Sequence, residues 1–137
     1  MKVIVMDGQG GKMGAALVKR IKEELPQIQL YAIGTNSIAT AAMLRAGADA
    51  GATGENPVIV NVRDADVVAG PIGILAANAL YGEISPAMAC AVAECPAVKL
   101  LLPVNRCNNI VIGVREQPLS EYLKEAVQRI AALSQAE

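Results

Sequence analysis

The sequence predicts one three-layer α/β domain over residues 1–137, with a mostly parallel sheet of about five to six strands between layers of helices. Three observations lead to this fold. A short, continuous apolar run at residues 3–6 is typical of a strand that is buried on both faces. A glycine-rich loop at residues 8–14 follows that strand and opens an amphipathic helix. Strand-like and helix-like segments then alternate along the chain, which is typical of a Rossmann-like fold.

The first half of the chain continues this alternation. The first helix carries apolar residues four positions apart, and these are Met13, Leu17, Ile21 and Leu25. Pro26 closes this helix. The predicted elements that follow are a second strand at 28–33, a second helix at 38–46 and a short third strand at 48–53. Asn36 or Ser37 caps the second helix, and Gly47 ends it.

The segment at residues 57–63 has two interpretations. The aliphatic, β-branched residues at 58–60 favour a strand, whereas Asn56 followed by Pro57 is typical of the first turn of a helix. Because helices and strands alternate on both sides of this segment, we expect a helix.

The second half predicts further strands and helices and ends in a hairpin and a closing helix. In order, the elements are a strand at 67–69, helices at 74–81 and from Ser85 to near Cys95, strands at 98–104 and 110–114, and a helix opened by Pro118. The closing helix places apolar residues on one face, and these are Leu119, Leu123, Val127 and Ile130. The link between the last two strands is too short for a parallel crossover, so we expect an antiparallel hairpin with its tip at residues 105–108. That tip and the glycine-rich loop are expected at the same, carboxyl edge of the sheet.

The glycine-rich loop is the strongest functional signal. Its residues are Gly8, Gln9, Gly10, Gly11, Lys12, Met13 and Gly14. Glycines let the backbone turn sharply and approach a pyrophosphate closely, and free N–H groups at a helix start attract negative charge. The loop therefore predicts a site for a nucleotide, with NAD(P) favoured, or for another phosphate-bearing ligand. The alternative is a tight turn that only lets the first helix pack against the sheet.

Two neighbours of this loop depart from a standard dinucleotide site. Asp7 places a carboxylate beside the expected pyrophosphate, where it either caps loop N–H groups or serves metal or acid–base chemistry. The second strand ends at Thr35 and Asn36, with neither an acid for a ribose diol nor an arginine for a 2′-phosphate. Thr35 and Asn36 are candidates to bind a ribose or phosphate, or to cap the next helix. Both departures argue against NAD as the ligand more strongly than they argue against an anionic ligand in general.

Further candidate residues follow other predicted strands, because ligands of open α/β sheets bind beyond the carboxyl ends of the strands. The candidates there are Gly70, Pro71, Gly73, Asn105 and Arg106, with Glu55 as a further one. The planar fork of Arg106 suits a phosphate or a carboxylate. Ordinary turn chemistry at residues 70–73 and a surface ion pair at Arg106 are the alternatives.

The sequence names no catalytic residue. The proton donor of an oxidoreductase would have to be Asp7, Glu55, Glu83, a tyrosine, Cys107 or water. Cys107, beside Arg106, is a candidate nucleophile or redox thiol, but the chain has no histidine to act as its base. Cys90 and Cys95 are expected to be small core residues. Three cysteines without a CxxC pair fit a reducing cytosol and argue against a zinc site.

Composition limits the partners and the compartment. A formal net charge of −1, with charges scattered along the chain, argues against nucleic-acid binding, which needs a basic stripe. The hydrophobic fraction of 53% exceeds what a small core absorbs, so we expect a homo-oligomer. Glycines and a proline interrupt the longest apolar stretch, residues 67–80, and the N-terminal apolar run is too short for a signal peptide. We therefore expect a cytoplasmic protein without a membrane span.

Two resemblances accompany these observations. The loop is similar to the nucleotide loop of dihydrodipicolinate reductases, which also place a basic residue and a methionine before the last glycine. The histidine-rich catalytic motif of those enzymes has no counterpart here. Five motifs resemble, over nearly the full length, a small bacterial family known as domain of unknown function 3842, and they lie at residues 7–11, 34–36, 51–56, 70–73 and 105–107. This second resemblance implies a Rossmann-like protein and lends no catalytic residues.

Two classes of function stay open. One is an NAD(P)-dependent oxidoreductase, for which a partner subunit would have to complete the substrate pocket. The other is a non-catalytic ligand-sensing or oligomeric accessory module, which needs the same loop but no acid–base residues.

Overall fold

The computed structural model describes residues 1–104 and 108–136. Its strands are β1 (Lys2–Asp7), β2 (Gln29–Gly34), β3 (Ala50–Thr53), β4 (Val67–Pro71) and β5 (Val98–Leu102). Its helices are α1 (Lys12–Glu24), α2 (Ser37–Arg45), α3 (Glu55–Asn61), α4 (Pro86–Glu94) and α5 (Leu119–Gln135), with short 3-10 turns at Val62–Asp64 and Ile72–Leu75.

The strands form one parallel sheet in the order β3-β2-β1-β4-β5. The chain adds β2 and β3 on one side of β1 and then crosses over to add β4 and β5 on the other side. This strand order is that of the Rossmann fold, so the predicted fold class is confirmed. The loops after β1 and β4 flank the point where the order reverses, and open α/β sheets bind ligands there.

Helices cover both faces of the sheet. Residues 3–6 of β1 are fully buried, and their side chains alternate between two apolar clusters. Val3 and Val5 pack in the cluster formed with α1, α2 and α5, whereas Ile4 and Met6 pack in the cluster formed with α3 and α4. The predicted three layers therefore meet at β1, directly below the glycine-rich loop.

Side-chain caps fix where two of the helices begin. Asn36, rather than Ser37, caps α2, because its Oδ1 accepts a hydrogen bond of 2.9 Å from the N–H of Ala39. The Ser85 hydroxyl caps α4 by accepting from the N–H of Met88 at 3.1 Å. In the ambiguous segment at residues 57–63 the predicted helix is confirmed, since α3 covers residues 57–61 and a 3-10 turn continues from Val62.

The predicted strand at 110–114 and the antiparallel hairpin are wrong for the described residues. Residues 108–118 contain no strand, and within the described residues β5 pairs with β4 alone. Ile110 and Ile112 are 83% and 91% exposed, so they do not pack in the core as residues of the predicted strand would. Gly113 has a φ of +90°, which turns the chain out of an extended ladder. The predicted tip residues 105–107 lie outside the described residues.

The predicted helix at 74–81 is also wrong. The chain makes a 3-10 turn at Ile72–Leu75 and then an irregular stretch, which we call the 76–84 segment. Asn78, Leu80 and Tyr81 have φ values of +67°, +56° and +56°, which a right-handed helix does not allow. The apolar residues that suggested a helix instead anchor this segment, because Leu80 and Ile84 are buried in the core.

Smaller differences concern the ends of elements and one cysteine. The third strand begins at Ala50 and the fifth ends at Leu102, so both are shorter than predicted. Cys95 is buried as expected, but Cys90 is exposed, so its assignment to the core is wrong. Among the described residues, no helix is both long enough and apolar enough to cross a membrane.

Candidate functional site

The glycine-rich loop makes a tight turn between β1 and α1. The N–H of Gly11 donates to the carbonyl oxygen of Gly8 at 2.9 Å. Gln9 and Gly11 have positive φ values of +51° and +73°, and Gly11 is the last residue before α1. The loop therefore leaves β1, reverses within four residues and enters the helix with its backbone close to the sheet.

Two of the glycines are required by helix packing. A Cβ atom on Gly11 would lie 2.7 Å from the Cα of Ala39, a backbone atom of α2. A Cβ atom on Gly14 would lie 2.7 Å from both the Cβ of Asp7 and the Sδ of Met43. These contacts agree with the packing interpretation of the loop, because α1 can lie against α2 and β1 only where no side chain intervenes.

Gly8 and Gly10 have different surroundings. A Cβ atom on Gly8 would lie 2.5 Å from Thr35 Oγ1, 2.9 Å from Leu80 Cδ1 and 3.0 Å from Glu83 Oε1. The absence of a side chain at Gly8 therefore lets both the end of β2 and the 76–84 segment pack against the loop. A Cβ atom on Gly10 would have nothing within 4 Å among the described residues, and its φ is not positive. Neither packing against the described residues nor backbone conformation explains the glycine at position 10.

Asp7 caps the loop from below. The residue is 4% exposed, and its carboxylate accepts hydrogen bonds from the N–H groups of Gly8 at 2.8 Å and Gly14 at 2.7 Å. Burial raises the pKa of Asp7, against the two hydrogen bonds that lower it, and the nearby charge of Glu83 raises it further. Because the Gly14 N–H belongs to the first turn of α1, Asp7 ties the end of β1 to the start of this helix.

Glu83 joins the loop to the end of β2, and the predicted site did not include it. Its Oε1 accepts three hydrogen bonds. The donors are the N–H of Gln9 at 2.9 Å, the hydroxyl of Thr35 at 2.6 Å and the amide of Asn36 at 2.7 Å. The predicted residues Gln9, Thr35 and Asn36 are thus brought together, and a carboxylate from the 76–84 segment lies at their centre.

The environment of Glu83 favours its charged form. Burial acts to raise the pKa of this carboxyl, but the hydrogen bonds from Thr35, Gln9 and Asn36 outweigh it and lower the pKa below its ordinary value of 4.5. Glu83 is therefore an anion at neutral pH.

The end of β4 lies beside the end of β1. Gly70 is buried, and a side chain at this position would collide with the carbonyl oxygen of Met6. Pro71 ends β4, and Gly73 lies in the 3-10 turn that follows; both are buried. Packing of β4 beside β1 therefore accounts for Gly70. Pro71 and Gly73 lie next to the point where the strand order reverses, and they remain candidates to border a ligand there.

The remaining candidates lie elsewhere or outside the described residues. Glu55 Oε2 accepts a hydrogen bond of 2.6 Å from the Ser85 hydroxyl, which links the starts of α3 and α4. Asn105, Arg106 and Cys107 fall in the part of the chain that the structure does not describe. Among the described residues, no group of three or more His, Cys, Asp or Glu side chains is placed to hold a metal ion.

A cavity of about 920 Å³ lies away from the glycine-rich loop. It opens between β5, α5 and the chain around residues 111–117, and its walls are mainly aliphatic. None of the residues of the glycine-rich loop lines this cavity. The size of the cavity and the chemistry of the strand ends therefore indicate two different places for a ligand. The cavity borders β5, which pairs with β4 alone within the described residues, so it marks a sheet edge, and the strand ends remain the candidate place for ligand binding.

Comparison with known proteins identifies the family. A family model described as Domain of unknown function (DUF3842) matches residues 2–135. The chain belongs to this family. The resemblance of the five motifs to DUF3842 is thereby confirmed, whereas the comparisons do not show the similarity of the loop to dihydrodipicolinate reductases.

Beyond the DUF3842 model, the comparisons add little. Among curated proteins, no sequence matches this DUF3842 chain. A similar solved structure is the dodecameric FMN-dependent Ubix-like decarboxylase from Escherichia coli O157:H7. It has a TM-score of 0.45 and 14% sequence identity, over 97% of this chain and 93% of that chain.

Proposed function

We propose that this protein binds a nucleotide, of NAD(P) type or with another phosphate-bearing group, at the start of α1. The observation that carries the proposal is the open glycine at position 10 within an otherwise tightly packed loop. Glycine costs backbone entropy, and neither φ nor packing requires it here. Close approach of a ligand to the backbone is the remaining reason for a glycine at this position.

The backbone donors around Gly10 suit an anion. The N–H groups of Gly10, Lys12 and Met13 find no acceptor among the described residues, whereas that of Gly14 is used by Asp7. The positive end of the α1 dipole lies at the same place. Lys12, exposed in the first turn, is unfavourable beside that dipole unless an anion offsets the repulsion.

The other predicted contacts have supporting roles in this proposal. Asp7 positions the loop, since its carboxylate is held by two N–H groups. Pro71 and Gly73, at the reversal of strand order, border the ligand on the side of β4. Asn105 and Arg106 remain proposed phosphate contacts from the chain that follows β5.

A nucleotide-binding module without catalysis is the second candidate, and it is favoured by one observation. Asp7 and Glu83, the two carboxyl groups at the loop, each accept several hydrogen bonds from the chain itself. They are thus engaged in positioning rather than in proton transfer. Oxidation of bound NADH or NADPH in the presence of small carbonyl compounds would identify an oxidoreductase, and binding without turnover would identify the module.

The substitution Gly10→Val is expected to abolish ligand binding and to leave the fold intact. The added side chain meets nothing within the described chain but would stand between the backbone and a phosphate. A thermal-shift screen with NAD(H), NADP(H), flavins, ATP, GTP and pyrophosphate is the measurement. A ligand at a hundred times its Kd stabilises the wild type by about 2.7 kcal/mol.

The matched control for this screen is Ala87→Val, which adds a branched side chain at an exposed position of α4. It is expected to keep the full ligand-induced shift. A ligand that stabilises Gly10→Val as much as the wild type would contradict a site at this loop. If none of the compounds shifts the wild type, the proposed function is wrong.

We also propose that β5 forms the contact of a homo-oligomer. Within the described residues this strand pairs on one side alone, and its first residue, Val98, is 45% exposed. The aliphatic cavity opens directly beside this edge, and Leu100 and Leu133 are among its walls. An unprotected edge strand next to apolar surface is a template for pairing with a second copy about a twofold axis.

The substitution Val98→Lys is expected to convert the oligomer to a monomer with an unchanged circular dichroism spectrum. A charge on an edge strand opposes strand pairing but costs little in an exposed position. Molar mass in solution, measured by light scattering over a range of concentrations, tests this. Lys124→Glu, an exposed change on α5, is the control. A monomeric wild type at every concentration would refute the proposed contact.

A further inference from the structure

We propose that Glu83 accepts the hydroxyl pair of a ribose, so that the site takes a nucleotide with a free 2′,3′-diol and rejects a 2′-phosphate. This inference rests on the proposed function and makes its ligand class narrower. It identifies a residue from the 76–84 segment as the one that sets specificity.

The argument begins with what β2 lacks. In dinucleotide-binding sheets of this strand order, an acidic residue at the end of the second strand binds the ribose 2′-hydroxyl. Here β2 ends at Gly34 and is followed by Thr35 and Asn36, none of which carries a charge. The usual position therefore cannot supply the acceptor.

Glu83 brings a carboxylate to that place from another part of the chain. Its Oε1 lies 2.6 Å from Thr35 Oγ1 and 2.7 Å from Asn36 Nδ2, directly after β2. It also lies 2.9 Å from the N–H of Gln9 in the glycine-rich loop. The carboxylate thus bridges the loop and the β2 end, the two features between which an adenosine ribose lies in such folds.

One oxygen of this carboxylate remains available. The three donors all bond to Oε1, whereas Oε2 has no partner among the described residues. Both oxygens of an ionised carboxylate accept hydrogen bonds, so Oε2 can accept from a ligand while the three donors at Oε1 keep the side chain in place. The residue is half-buried, so the free oxygen is reachable from solvent.

The backbone around Glu83 holds it in this position. Ile84 is fully buried and Leu80 nearly so, which anchors the chain on both sides of the carboxylate. The N–H of Asn78 donates to the carbonyl oxygen of Ile84 at 2.6 Å, and the N–H of Ile84 donates to that of Ala79 at 3.1 Å. Non-glycine residues with positive φ, as at Asn78 and Leu80, cluster where a site requires a special backbone path.

Charge decides which ribose is accepted. Glu83 is ionised at neutral pH, and its negative charge lies near enough to Asp7 to raise the pKa of that carboxyl group. A hydroxyl donates to a carboxylate in a charge-assisted hydrogen bond, whereas a 2′-phosphate at the same distance is repelled. The described residues around Oε1 include no positive side chain to offset that repulsion.

The test compares the Kd of NADH with that of NADPH, by fluorescence titration, for the wild type and Glu83→Gln. The wild type is expected to bind NADH at least about tenfold more tightly, the effect of one charge-assisted hydrogen bond. In Glu83→Gln the amide oxygen can still accept from the three donors, but the charge is gone. The preference for NADH is then expected to fall to about twofold or less.

Controls separate specificity from a structural role. Glu55→Gln removes the charge from a carboxylate that also accepts a short hydrogen bond, but from the Ser85 hydroxyl and not from the glycine-rich loop or the end of β2. It is expected to leave the NADH/NADPH ratio unchanged. Loss of packing alone would weaken both ligands equally, so the ratio is the informative quantity. Should Glu83→Gln fail to fold, Glu83→Asp keeps the charge and is expected to keep the preference for NADH.

The outcomes distinguish this inference from the proposed function. If both dinucleotides bind the wild type equally, or if Glu83→Gln keeps the wild-type ratio of the two Kd values, Glu83 does not select the ribose. The proposed binding site at the glycine-rich loop is still supported in that case. If pyrophosphate binds but neither dinucleotide does, the anion site stands and this inference is overturned. If nothing binds the wild type, both are overturned.

Discussion

The substitution Gly11→Val is expected to destabilise the protein by about 3 kcal/mol or more. A Cβ atom at this position meets the Cα of Ala39 at 2.7 Å and its carbonyl oxygen at 3.0 Å, and these backbone atoms of α2 cannot move without disturbing the helix. Overpacking of this kind costs about 1–3 kcal/mol. The φ of +73° adds about 1–2 kcal/mol for any residue with a Cβ, and a β-branched side chain is worse still.

Gly10→Val is the matched control, because it makes the same change one residue earlier in the same loop. Nothing among the described residues lies within 4 Å of its Cβ, so its free energy of unfolding is expected to stay within about 0.5 kcal/mol of the wild type. Urea denaturation of the two variants measures the difference. Equal losses would mean that the loop does not pack on α2 as the structure has it.

The pair also separates the two interpretations of the glycine-rich loop that the sequence left open. Gly11 is required by helix packing, so its presence says nothing about a ligand. Gly10 is not, and a ligand is the reason we propose for it. A glycine pattern in a sequence therefore mixes structural and binding positions, and only the surroundings of each Cβ distinguish them.

Local signals predicted much of the fold. The buried run at residues 3–6, the spacing of Met13, Leu17 and Ile21, and the cap at Asn36 each depend on neighbours within a few positions. Such patterns follow from the periods of strands and helices, which a single sequence displays. The parallel direction of most strands was then predicted from the alternation of the two element types, whereas their order in the sheet was not predicted.

The wrong predictions share a physical cause. The apolar residues near 74–81 fit a helix by composition, but the positive φ values at Leu80 and Tyr81 follow from anchoring in the core, which no local pattern shows. Ile110 and Ile112 belong to an apolar run of β-branched residues that is typical of a strand, yet both are exposed to solvent. Periodicity indicates which residues share a face, but tertiary contacts decide whether that face is covered.

The place of Glu83 at the centre of the candidate site could not be predicted, for a related reason. Glu83 is 48 residues from Thr35 in the chain, and it lies in a stretch with no recognisable motif. Its neighbours Gln9, Thr35 and Asn36 were predicted because glycine loops and strand ends carry known chemistry. The carboxylate that binds them together depends on how the 76–84 segment folds over the loop.

Two carboxyl groups at the loop have pKa values shifted in opposite directions. Asp7 is more deeply buried and accepts two backbone hydrogen bonds, so burial prevails and its pKa is raised. Glu83 is less buried and accepts three hydrogen bonds on one oxygen, so these prevail and its pKa is lowered. Two carboxyl groups thus contact the same loop, and their surroundings disfavour the charged form of Asp7 and favour the charged form of Glu83. This difference agrees with a positioning role for Asp7 and a ligand-binding role for Glu83.

The substitution Asp7→Ala is expected to destabilise the protein by about 2–6 kcal/mol. It leaves the N–H groups of Gly8 and Gly14 without their acceptor in a buried place, at about 1–3 kcal/mol each. Asp66→Ala is the matched control, because Asp66 Oδ2 also accepts from a backbone N–H, that of Lys2 at 2.7 Å, but at an exposed position. Water replaces the lost acceptor there, so a loss below about 1 kcal/mol is expected. Similar losses for the two variants would contradict the burial of Asp7.

The pH dependence of Asp7 provides a second test with a definite sign. Because its folded pKa is raised above the ordinary value of 3.8, the folded state binds a proton more readily than the unfolded state. The stability contributed by this group is therefore fully present below about pH 3.8 and is lost as the pH rises through the folded pKa. In Asp7→Asn this titration is absent, while the other acidic groups remain. The wild type is thus expected to gain stability relative to Asp7→Asn when urea denaturation is repeated at pH 4 instead of pH 7. A relative loss on acidification would mean that the hydrogen bonds from Gly8 and Gly14, and not burial, dominate the ionisation of Asp7.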